Sequence, residues 1–134
     1  MAHDHEIYMI LADTGAELRD LDAVRKYGPA LEQLASRDHH HLYLAIAHRA
    51  TGVGHWLAGE QIEAENHLRE SLGLFTKLGT RWQIGRTLFA LGELQLARSK
   101  EKAREYYSQA LGAFEEIGAT PDVERTRAIL NEMS

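Results

Sequence analysis

The stretch SLGLFTKLG, residues 71–79, returns in altered form as ALGAFEEIG at 110–118, 39 residues later. Leu72, Phe75 and Gly79 in the first copy stand where Leu111, Phe114 and Gly118 stand in the second. Both copies space their apolar residues as a helix does and end in glycine, the residue that most readily takes the left-handed conformation closing a helix. Working outward, Ala64, Leu68 and Ser71 match Ala103, Tyr107 and Ala110, and the pair Leu57-Ala58 matches Leu96-Ala97 at the same offset. A fainter copy, Ala23, Tyr27, Ala30 and Leu31, lies 41 residues before its counterpart. Self-similarity at a near-constant interval is the signature of a repeat architecture in which each unit covers its neighbour's apolar face.

Each copy reads as two antiparallel helices. The second predicts helices over 41–58 and 61–78, joined by Gly59-Glu60 and closed by Gly79. The third predicts 81–98, an N-cap at Ser99, and a helix to 117 closed by Gly118. The first is the least regular: a helix over 5–12, a turn at Asp13-Thr14-Gly15, and a helix over 16–27. Gly28-Pro29 is expected to interrupt it, because proline lacks the helical donor and clashes with the preceding turn, with 30–36 continuing after a kink or break. Thr120-Pro121-Asp122 reads as an N-cap, a first-position proline and a first-turn acid opening a last helix. The small residues Ala64, Ser71, Ala103 and Ala110 are expected where paired helices approach closely, since larger side chains would force them apart. The expected fold is therefore all-α: about three antiparallel helical hairpins at roughly 4–37, 40–79 and 81–118, capped by a helix over 121–133, in one domain of 134 residues.

Composition narrows the function classes. The net charge is −5 and the lysines and arginines are scattered, which argues against a nucleic-acid binder. There are no cysteines, so thiolate chemistry and disulfides are excluded and a reducing compartment is favoured. No apolar run approaches membrane-spanning length and no leader pattern opens the chain, so a cytoplasmic protein without membrane partners is expected. No nucleophile elbow or phosphate-cradling glycine loop is present, and an enzyme is not expected.

The pattern of a small residue, an aromatic or leucine four later and a small residue three further on resembles the tetratricopeptide repeat, with Gly52 and Gly92 near that motif's first-helix small position. The resemblance covers about residues 5–118, at intervals of 39 and 41 where the family standard is 34. The segment GTRWQIGRTLFALGELQLA, with ALGAFEEIGA and ERTRAIL after it, is similar to the C-terminal repeat arrays of large bacterial signalling proteins and transcription activators. In those families the repeats hold a partner or sense an effector while other domains do the chemistry.

The resemblance implies a concave groove lined by Ile46, Arg49, Val53 and Trp56 from the second repeat and Arg86, Phe89, Glu93 and Leu96 from the third. It implies a protein or peptide partner, with Arg49, Trp56, Arg86 and Phe89 as main contacts and no cofactor. The alternatives are a small-molecule sensing domain and a self-associating homodimer whose uncapped first repeat is covered by a second copy. Val53 and Glu93 stand where the family's carboxylate-clamp ligands require asparagine and lysine, which disfavours that ligand class.

Histidine offers the competing chemistry. His39, His40 and His41 are consecutive, and His48 and His55 follow at intervals of seven. Seven residues separate two rings by roughly 10 Å along a helix, so His41, His48 and His55 form a stripe that cannot share one ion. His39 to His41 point in different directions and would need help from elsewhere, for instance His3 or His5. No metal site is expected.

Overall fold

The computed structural model describes residues 2–134, with side chains from residue 5 onward. Among these residues there are seven α-helices: α1 (Ala2–Glu17), α2 (Leu21–Arg37), α3 (His41–Leu57), α4 (Gln61–Leu78), α5 (Arg81–Gln95), α6 (Lys100–Glu116) and α7 (Thr120–Glu132). The fold is all-α, and no described helix is long and apolar enough to cross a membrane. The chain groups into two compact units, 1–74 and 75–134, with the division inside α4.

The turns follow a local rule. Gly59, Gly79 and Gly118 take positive φ of 81°, 71° and 64°, as their places after helix ends require. Arg19 and His39 do the same work at φ 56° and 54° without being glycine. Asp20, His40 and Ser99 then cap the following helices, accepting from the amides of Ala23, Tyr43 and Lys102. Thr120 lies inside α7, and Ala119 holds the cap position with no side-chain bond, so the expected threonine cap is corrected by one residue. Pro121 still sits in the first turn, where a missing amide proton costs nothing.

Unit 1 departs from expectation in its first hairpin. No turn forms at Asp13-Thr14-Gly15: α1 runs through to Glu17. Gly15 is small for another reason, since a Cβ there would lie 2.9 Å from the Ala23 Cβ on α2. Nor does Gly28-Pro29 break its helix, for α2 continues across Pro29. Val24, Gly28, Leu31 and Ala35 form a continuous buried stripe, and this packing outweighs the one lost backbone bond. α1 packs against both α2 and α3.

The core of unit 1 contains Val24, Leu31, Ala45, Val53, Ala64 and Leu68, and Ser71 donates to the Ala45 carbonyl at 2.7 Å. Gly52 meets Leu68 and the Ala64 carbonyl so closely that a Cβ would approach them to 2.9 and 3.2 Å. In unit 2, α6 packs against α5 and α7. Phe75, Leu91, Leu94, Tyr107 and Phe114 are buried there. Gly85 and Gly92 leave room for the Phe114 and Tyr107 rings, at 2.5 and 2.9 Å from where a Cβ would stand.

Candidate functional site

The consecutive histidines belong to the turn between α2 and α3. His39 supplies the left-handed residue, and His40 uses Nδ1 to accept the Tyr43 amide at 3.3 Å while its ring stacks on Tyr43. His5, buried on α1, places Nε2 2.8 Å from the Asp38 carboxylate and 3.3 Å from the Leu34 carbonyl. Arg37, donating to Asp38, is the main reason that the Asp38 carboxyl sits below its usual pKa range. His3 lies outside the residues whose side chains are described.

Three elements of unit 1 converge on a second cluster. His48 on α3 and His67 on α4 approach Nδ1 to Nδ1 at 3.0 Å, and Glu32 on α2 lies 3.6 Å from His48 Nε2. One ligand atom from each of the three can be chosen so that all lie within 4.8 Å of one another. All three residues are half-buried. His55 stacks on His67 with centroids 5.3 Å apart, and its own Nδ1 faces Glu60 at 2.9 Å. Burial first, and then the neighbouring His48, lower the pKa of His67 and favour its neutral, ligand-competent form. A cavity of about 210 Å³ lined by His48, Asn66, His67 and Glu70 opens beside the cluster.

The stripe argument overlooked His67, which lies within reach of the His48 and His55 rings. The signal was present in the hairpin pairing. The antiparallel register that sets Gly52 against Ala64 and Leu68 also brings His48 and His67 to one edge. Glu32 carried no such signal, because it arrives from a different hairpin.

The expected groove residues fall into two sets. In unit 1, Ile46 and Val53 are buried, and Arg49, only 3% exposed, bonds the Asp13 carboxylate on α1 at 2.9 Å. Trp56 is half-buried, with the Arg19 guanidinium 5.2 Å from its ring centroid. In unit 2, Arg86 is buried, bonds Gln83 and lies 4.7 Å from the centroid of Trp82. Phe89 is buried edge-on to Tyr107, with Arg125 over its ring at 4.3 Å. Glu93 is half-buried and Leu96 exposed. Trp82, not singled out from the sequence, is exposed and donates its indole N–H to Asp122 at 3.2 Å. No protein-family model matches the chain, and no curated protein matches it.

Proposed function

We propose that the chain is a non-enzymatic helical-repeat module of tetratricopeptide type that holds a protein or peptide partner within a bacterial signalling or regulatory system. The observation carrying this reading is the repetition of one hairpin contact. Gly52 lies against Leu68 in unit 1, and Gly92 lies against Tyr107 in unit 2. Leu68 and Tyr107 are the residues that the 39-residue offset pairs. Similar placement of a first-helix glycine against the large residue of the second helix, with the glycines 40 residues apart and their partners 39, is the packing logic of stacked hairpins, and such arrays bind through extended surfaces. The packing of α1 against both α2 and α3 supports the same reading.

Partner contacts then come from the accessible members of the expected set: Trp56 in unit 1, and Glu93 and Leu96 in unit 2. Arg49, Arg86 and Phe89 stiffen the scaffold behind them. Affinity capture from bacterial lysate in chelator tests this with wild type, Trp56→Ala and Leu96→Glu. A defined partner held by wild type and lost from at least one variant of unchanged helicity supports the proposal; identical capture by all three overturns it.

One observation favours a second reading, self-association. α1 buries Ala12 and Ala16 on one side, while Ile7, Ile10 and Leu11 stand exposed on roughly the opposite side at 100° per residue, with Leu18 exposed in the turn just past its end. A helix apolar on both faces normally has both covered. Sedimentation across a concentration series, with Leu18→Glu as comparison, decides it: a dimer dissociated by the substitution supports this reading, and a monomer at every concentration overturns it.

A further inference from the structure

We propose that Glu32, His48 and His67 form a binding site for a divalent transition-metal cation of the zinc type. The site is independent of partner binding and rests on geometry within unit 1. Imidazole nitrogens bind zinc at about 2.0–2.1 Å, so two of them on a tetrahedral ion stand roughly 3.3 Å apart. The two Nδ1 atoms of His48 and His67 already stand 3.0 Å apart. In the metal-bound form the two rings would turn so that one nitrogen of each, now hydrogen-bonded to the other, points at a shared ion.

The third ligand has the right chemistry and position. Glu32 brings a carboxylate oxygen 3.6 Å from His48 Nε2, and one ligand atom from each of the three residues lies within 4.8 Å of the others, a set of two imidazole nitrogens and one carboxylate oxygen. Two imidazoles select zinc, nickel, cobalt or copper over magnesium and calcium, which require mostly oxygen. The cavity of about 210 Å³ lined by His48, Asn66, His67 and Glu70 opens beside the two imidazoles and offers a route for water and the entering ion. A three-ligand site with one open position is an established zinc arrangement.

The metal would clamp α2, α3 and α4 together through residues far apart in sequence. Its binding would therefore stabilise the fold by mass action. The turn histidines have other work: His39 shapes the turn and His40 caps α3.

The test is titration of the chelator-stripped full chain with Zn²⁺, read by calorimetry and by Tm, with Co²⁺ as a visible-absorption probe. One ion per chain is expected, with a rise in Tm that Mg²⁺ does not produce. His67→Gln is expected to weaken binding more than about 100-fold, beyond the loss typical of supporting residues, and Glu32→Gln at least about 10-fold. His67 is half-exposed and its glutamine variant is expected to fold, which circular dichroism verifies. A variant with His39→Gly and His41→Ala is expected to bind as wild type does. Absence of a zinc-dependent Tm rise would overturn the proposal. So would binding that survives His67→Gln, or binding that disappears with the two turn histidines.

Discussion

Units 1 and 2 satisfy their interior polar groups in different ways. In unit 1 the bonds cross between helices: Arg49 reaches Asp13 on α1, Ser71 reaches the Ala45 carbonyl on α3, and His48 meets His67 on α4. In unit 2 the buried hydroxyls of Thr87 and Thr126 donate to carbonyls four residues earlier in their own helices, at 2.8 and 2.7 Å. There large rings are also fitted against glycines of the facing helix. Packing between helices can thus draw on polar ties, which demand particular partners, and on shape, which demands particular volumes.

The strongest way to break this contrast is to remove a ring. Phe114 is fully buried and fills the space left by Gly85. Phe114→Ala is expected to cost about 3–5 kcal/mol by urea unfolding, because the cavity cannot collapse onto a glycine. The corresponding cut in unit 1 is Arg49→Ala. Its loss removes the bond to the partly solvated Asp13, so about 2 kcal/mol is expected, below the range for fully buried pairs. Double substitution with Asp13→Ala should cost less than the sum of the singles, a coupling that a double-mutant cycle measures directly. Additive costs would mean that the pair does not tie α1 to α3 energetically.

A finer comparison uses the matched glycines. Gly92→Ala would place a Cβ within 3.0 Å of three atoms of the rigid Tyr107 ring, whereas Gly52→Ala meets two aliphatic carbons of Leu68 at 2.9 and 3.1 Å and the Ala64 carbonyl at 3.2 Å. Alanine returns about 1 kcal/mol of helix propensity at either site. Gly92→Ala is expected to destabilise by about 2 kcal/mol net and Gly52→Ala by about 1 or less, as overpacking costs predict. Equal losses would show that the shape-fitted and polar hairpins do not differ in tolerance.

The smallest effect has the opposite sign. His39 is exposed and holds a left-handed conformation that glycine holds at Gly59, Gly79 and Gly118. His39→Gly should therefore stabilise by about 1 kcal/mol, seen as a raised Tm. A lowered Tm would mean that the imidazole makes a contribution larger than the backbone strain it tolerates.

Where a signal was local, the sequence reading and the structure agree. The span of α4, the cap at Ser99 and the left-handed glycines at three helix ends depend on neighbours within a few residues. The readings that failed used equally local signals in places where distant residues held control. Gly15 looked like a turn residue and is a contact with α2; Pro29 looked like a break and is carried through by a buried stripe. The arginines expected at an accessible surface are buried against Asp13 and Trp82, partners that no spacing rule would name.

Sequence alone therefore determined the helical class and most helix ends, because backbone conformational preference and apolar periodicity act over one or two turns. Only tertiary structure decided that Glu32, His48 and His67 meet. Their proximity depends on how three helices pack, and packing is set by the summed contacts of many residues far apart in the chain.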